Sequence, residues 1–356
     1  MSHAAAMNRL DVTQLLNDFM QFNKIPIHQE HSPLFCALQH RRHGIAKWLI
    51  HHGIGHDHGI NGVRPIAAAA AQHFNDLVEE LLRRGVPANS ANPDDRSALV
   101  AAVTVNNVLA AKLLLQAGAG TNVSIEGDPD FEEKGKESLL LWAAAKGLPN
   151  TVAFLIQYGW DVNGNYVAFG KPPLAYAAAA NRTVSMHRLI DNGADLEFCD
   201  TDGLTPLYWA AREGNWEAVK ILIEAGANPD PFDVDGNSPL INAAARSFET
   251  VQLLVEAGAD VNEQSTAGST ALINAAARDQ ADSVRLLIQH GACIEAKARG
   301  QTALSWAIAS NALNAARVLV EAGADVTAPD AQGRTPLGYA TNEAALAVLY
   351  SRTYDI

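Results

Sequence analysis

The chain has 356 residues, 48% of them hydrophobic, so it buries a large apolar surface and has room for two or three domains or for one long array. Its net charge of -13 argues against a nucleic-acid binder, which needs clustered Lys and Arg for phosphate contacts. Three widely separated cysteines (Cys36, Cys199, Cys293) read as thiols of a reducing compartment. The opening MSHAAAMNRLDVTQLL has no signal-peptide pattern, and no stretch reaches membrane-spanning length, so a cytoplasmic location is expected.

In chain order, Leu10, Val12, Leu15, Leu16, Phe19 and Met20 predict a helix over 8–25, within an N-terminal capping region 1–30. From residue 31 a period takes over. Apolar anchors stand at Leu34, Ile66, Leu99, Leu140, Leu174, Leu207, Leu240, Leu272, Leu304 and Leu337, 32 to 34 residues apart except for one interval of 41. A glycine closing each unit, from Gly53 to Gly323, keeps the same beat. Each unit reads as two helices and a turn. In Thr205-Pro206-Leu207-Tyr208-Trp209-Ala210-Ala211, Thr205 suits an N-cap and Pro206 the first helical position. Val219, Ile221, Leu222 and Ile223 supply the apolar face of a second helix. Gly226 suits the left-handed position that ends it, and Asp233-Val234-Asp235-Gly236 forms a polar turn. Ala344 to Tyr350 is expected to close the array, leaving a tail at 351–356.

Chemistry finds little support in the residues. Gly135-Lys136 has Asp130 where a phosphate-binding loop requires glycine, and Gly53-Ile54-Gly55 lacks a third glycine at the dinucleotide spacing. No catalytic residue and no cofactor are assigned. His40, His43, His51, His52, His56 and His58, with Asp57, crowd one segment. Two readings stand: solvated histidines near a helix end and turn, or a metal or small-ligand site using GIGHDHG.

The segments DTDGLTPLYWAAREGNWEAVKILIEAGANPD, DGNSPL with VQLLVEAGADVN, and QGRTPL resemble ankyrin repeats, and the likeness covers about residues 31–350. It implies an all-α solenoid of nine to ten helix-turn-helix units, with hairpin-like fingers and a concave side of short inner helices. It also implies a function in binding another protein rather than in catalysis.

In this register, equivalent positions become spatial stripes. Two residues past the anchor stand Trp142, Tyr176, Trp209, Asn242, Asn274 and Trp306, and six past it stand Lys146, Glu213, Arg246 and Arg278. The positions lie four apart, on one helix face. The aromatics either fill gaps between alanines or anchor a partner; Arg212, Arg246 and Arg278 are either solvated charges or a basic strip for a carboxylate-rich peptide, with Asn242 and Asn274 supplying donors and acceptors. LINAAAR, spelled at both 240–246 and 272–278, concentrates these residues. The 41-residue interval places a lengthened acidic finger over 119–137, with Glu126, Asp128, Asp130 and Phe131; the next finger carries Trp160, Tyr166 and Phe169. These are either tolerated surface insertions or selectivity elements. The expected function is a protein-binding adaptor or scaffold, monomeric when free, without nucleic-acid or membrane partners. The alternative within that class is a stoichiometric, immunity-type inhibitor that occludes a partner's active site.

Overall fold

The computed structural model describes residues 32–55, 63–89, 97–120, 139–164 and 170–350, together with Asp11 and Gln14. The expected N-terminal helix, apart from those two exposed helical residues, lies outside the described set. So do the finger beyond Gly120 and the tail. Packing divides the chain into two units, 1–143 with 150–159, and 144–149 with 160–356.

The first unit stacks helix pairs: α1 (Pro33–Gln39) with α2 (His43–His51), α3 (Pro65–Ala71) with α4 (Asn75–Arg83), and α5 (Ala98–Thr104) with α6 (Val108–Gln116). Helices α7 (Leu139–Lys146) and α8 (Pro149–Gln157) follow. The second unit continues with α9 (Pro173–Ala179) and α10 (Thr183–Asp191), α11 (Pro206–Glu213) and α12 (Trp216–Glu224), and α13 (Pro239–Ala243) and α14 (Phe248–Glu256). Then come α15 (Ala271–Ala277) and α16 (Ala281–Gln289), α17 (Ala303–Ala309) and α18 (Leu313–Glu321), and finally α19 (Glu343–Tyr350). Within each unit, first helices pack on first helices and second helices on second helices. The architecture is the all-α repeat solenoid that the period predicts.

Local chemistry explains why these residues make these elements. The Thr205 hydroxyl accepts the Tyr208 amide at 3.2 Å, with Pro206 at the first helical position, as expected. Ser32 does the same for α1 and Ser238 for α13. Between the helices of six pairs the chain passes through one left-handed residue that is Asn, Asp, Arg or His: Arg41, His73, Asn106, Asn181, Asp279 and Asn311 all have φ between 53° and 61°. Asn and Asp tolerate that conformation better than most residues. The anchors are core: Leu99, Leu140, Leu207 and Leu240 are fully buried. Leu337 departs from the series and is 42% exposed. Its segment, Pro336–Tyr339, is a single 3-10 turn rather than a helix, and the closing burial comes from Ala345, Val348 and Leu349 of α19.

Fingers join one repeat to the next through a ladder that runs along their roots. Asn163 accepts the Asp195 amide at 2.8 Å, Glu197 the Asn228 amide at 2.8 Å, Asn262 the Cys293 amide at 2.7 Å, and Glu295 the Asp325 amide at 2.8 Å. In the first unit Asn89 does this for Gly120. Asp230 is the weak rung. Both of its oxygens lie 3.3 Å from the Asp260 amide, and burial, with the Asp260 carboxylate nearby, pushes its own carboxyl above the ordinary value. Asn262 uses its amide to add a bond to the Gly291 carbonyl at 3.0 Å, which no carboxylate can donate. Asp230→Asn is therefore expected to raise stability at pH 7 by about 1 kcal/mol, or about 2–4 °C in melting temperature. A carboxyl whose folded pKa is raised costs stability when ionised. That part of the gain shrinks as the pH falls through the folded value towards 3.8. Melts at pH 7 and pH 3.5 check it; an unchanged or lower melting temperature at pH 7 refutes it.

Candidate protein-interaction surface

The second unit presents the first-helix stripe most fully. Lys171 lies three residues before the anchor Leu174. Its ammonium sits 3.2 Å from the Trp209 ring centroid and 5.2 Å from that of Tyr176. Arg212 approaches Trp209 at 5.1 Å, so the indole is contacted by two cations. The indole N–H donates to Asp200 Oδ2 at 2.8 Å, and the Asp200 Oδ1 also accepts the Asp202 and Leu204 amides. A finger carboxylate thus fixes the aromatic of the following helix. Burial pushes the Lys171 ammonium below its ordinary pKa, partly offset by Asp200. Tyr176, Trp209 and Trp306 are all half-buried.

Lys171 is absent from the sequence-derived site. A signal for it exists: Arg334 stands at the same register before Leu337, and its guanidinium lies 4.7 Å from the Tyr339 ring. A cation five residues before an aromatic, across the finger-to-helix junction, recurs at both places.

The two asparagines of LINAAAR do not act as expected. Asn242 Nδ2 donates to the Tyr208 hydroxyl at 2.9 Å and to the Ser238 carbonyl at 3.2 Å. Asn274 Nδ2 donates to the Ile241 carbonyl at 2.9 Å, while its Oδ1 accepts the Ser269 hydroxyl at 2.8 Å. Both amides join successive repeats, so their donors are engaged within the stack. Burial pushes the Tyr208 hydroxyl pKa up, as does its hydrogen bond to Asp233.

The arginines differ. Arg246 and Arg278 are exposed, and among the described residues neither makes an ion pair or a hydrogen bond through its side chain. Arg212 and Glu213 are exposed at the end of α11, and Lys146 is half-buried in the last turn of α7. Trp142 and Trp160, only 7% and 9% exposed, are core residues and offer no surface anchor, which corrects their assignment as contacts. Trp160 follows its glycine in the register of Ala194, Ala227, Ala259, Ala292 and Ala324, all buried; that alignment marks it as framework. Glu126, Asp128, Asp130, Phe131, Tyr166 and Phe169 lie outside the described residues.

A finger tip adds what the polar pattern conceals. Asp233 turns towards Tyr208, and its neighbours Phe232 and Val234 stand 56% and 81% exposed.

Of the histidine cluster, His43 Nε2 bonds Asp76 at 2.8 Å, and His52 Nδ1 bonds the Trp48 carbonyl at 2.8 Å while stacking on that indole. His51 and His52 stand at the end of α2, as their register predicts, and His56 and His58 lie outside the described residues. No helix among the described residues is long and apolar enough to cross a membrane.

Stacked helix pairs with finger turns, bound by side-chain-to-backbone rungs, define a repeat architecture. Residues 174–265 and 249–330 match the family of ankyrin repeats. Among solved structures, the ankyrin repeat domain of Bcl-3, a member of the IkappaB protein family, is 28% identical with a TM-score of 0.52. The match covers 60% of this chain and 98% of that one. The human ASB11 ankyrin repeat domain is 25% identical with a TM-score of 0.55, at the same coverages. Residues 174–330 thus carry ankyrin repeats, and ankyrin repeats are protein-interaction modules without catalytic machinery of their own.

Proposed function

We propose that the chain is a protein-binding adaptor whose partner seats on the first-helix stripe of α9 to α17 and on the finger tip at Phe232 and Val234. The observation that carries this reading is the company the exposed residues keep. Two solvent-exposed apolar side chains share one repeat stack with half-buried Tyr176 and Trp209, and with two arginines that have no partner among the described residues. Aromatic and Arg anchors ringed by polar residues are the usual composition of a binding hot spot, each worth roughly 2 kcal/mol or more. The likeness to the ankyrin domains of Bcl-3 and human ASB11 supports the same class of function.

Phe232→Ser with Val234→Ser removes the exposed apolar tip without touching Asp233. The immobilised double variant and the wild-type chain are compared by quantitative affinity capture from extracts of the source cells. At least one protein retained by the wild type is expected to drop tenfold or more, with the melting temperature unchanged. Identical retention of every protein overturns the assignment of the tip to the binding surface.

A further inference from the structure

We infer that the stripe between Trp209 and Trp306 receives an acidic segment of a partner protein in polyproline-II conformation, with a carboxylate at every third residue. This rests on the protein-binding reading above and names the chemistry of the occupant. Arg278 is the C-cap of α15 and Arg246 stands in the turn just beyond α13, each six residues past its anchor leucine, and both are exposed with no ion pair or side-chain hydrogen bond among the described residues. Two such guanidiniums in an acidic chain are complementary to carboxylates.

Spacing selects the conformation. Packed neighbouring helices lie about 8–10 Å apart, so the stack presents one guanidinium per repeat at about that interval. A polyproline-II helix has three residues per turn and a rise of about 3.1 Å, which returns a side chain to the same face every ~9 Å. A β-strand turns the third residue to its opposite face, and an α-helix returns a face about every 5.4 Å. Of the three, polyproline II matches the repeat with every turn, whereas an α-helix matches only at every second turn, about 10.5 Å apart.

The flanks fit such a segment. Trp209 and Trp306 occupy the same register three repeats apart, both half-buried, at either end of the arginine pair. Proline-rich segments dock on aromatic surfaces, for which Trp306 is available while Trp209 is covered by Lys171 and Arg212, and about nine residues of polyproline II span three repeats. Lys171 and Arg212 add positive charge at the Trp209 end. Asn242 and Asn274, between the tryptophans, are committed to their neighbouring repeats and leave recognition to the arginines. Glu213 stands in the Arg246 register one repeat earlier, and Ser310 in that of Arg278 one repeat later, so the paired charge occupies two repeats.

The test measures fluorescence anisotropy of three labelled peptides with the full chain: (Glu-Pro-Pro)4, a block peptide of four Glu followed by eight Pro, and (Lys-Pro-Pro)4. The first is expected to bind at least tenfold tighter than the block peptide of equal composition, with no binding of the third. Arg246→Glu with Arg278→Glu is expected to cost at least tenfold in affinity for (Glu-Pro-Pro)4 while leaving the melting curve in place. Equal affinity for both acidic peptides overturns the spacing argument, as does binding of neither. Unchanged affinity in the arginine variant removes the strip from the site. A twelve-nucleotide oligothymidylate bound as tightly and lost in the same variant assigns the strip to nucleic acid. Self-association abolished by that variant assigns it to a second copy of the chain; either result overturns the proposal. If the peptides fail while the finger-tip variant still loses its captured protein, the segment chemistry is wrong and the protein-binding reading stands.

Discussion

Gly268→Ala is expected to destabilise the second unit by about 2–4 kcal/mol, the sum of a backbone term and a steric one. Gly268 has φ of +76°, where an L residue with a Cβ costs about 1–2 kcal/mol. A Cβ there would also lie 2.8 Å from the Lys297 carbonyl oxygen and 3.6 Å from the Ala298 Cα, in the following finger. The obstacle is backbone, held in the short antiparallel pair of Lys297–Ala298 with Gln301–Thr302, so it yields only by parting two fingers. Gly333 separates the two contributions. It has the same φ of +76°, but a Cβ there meets nothing within 4 Å. Gly333→Ala is therefore expected to cost the backbone part alone, about 1–2 kcal/mol. Urea unfolding of both variants reads the difference as finger-to-finger packing. Equal costs would show that neighbouring fingers adjust freely.

Asp233→Ala is expected to cost about 2–3 kcal/mol at neutral pH, because one carboxylate holds a finger and a helix together. It accepts the Tyr208 hydroxyl, the Asp235 amide at 2.9 Å, the Asn237 amide at 2.8 Å and the Asn237 side chain at 2.9 Å. Burial alone would raise its pKa. The hydrogen bonds from Tyr208 and Asn237 outweigh that and hold it below the ordinary 3.8. For a depressed carboxyl the contribution is fully present above the unfolded value and is lost as the pH falls through the folded one. The gap between wild type and variant should be constant from pH 7 to about pH 5, and should narrow only below 3.8. Thermal melts across that range check both the size and the pH window. A variant as stable as the wild type at pH 7 would show the network to be incidental.

Both variants test features that link repeats, and those are the features that a single sequence conceals. Within a repeat the signals are local. Thr205 caps α11 through Tyr208, three residues on, and Gly226 takes φ of +95° straight after α12. Such contacts follow from order along the chain, so periodic leucines, caps and glycines announce the array directly. Leu337 shows the limit of that logic. It keeps the anchor's place in the period but sits on a 3-10 turn and stays exposed, because burial depends on helices that stack and not on register alone.

The surface was legible as a stripe but not as a list of free groups. LINAAAR contains the lesson within seven letters. Its leucine and alanines are framework, its asparagine is spent on the adjoining repeat, and its arginine reaches solvent. Trp142 and Trp160 likewise share a residue type with Trp209 and lie in the core. The polar turn around Phe232 and Val234 disguises two exposed apolar side chains.

By itself, then, the sequence determined the period, the helix pairs and the absence of a family-type catalytic motif, since these rest on contacts a few residues apart. Only the tertiary structure decided which polar residues are left for a partner. The acceptor of Asn274 lies 33 residues away and that of Asn242 lies 34 away, on the neighbouring repeat. A side chain's register says which face it shares; whether the next repeat meets it with a hydrogen-bonding partner is settled only when the repeats stack.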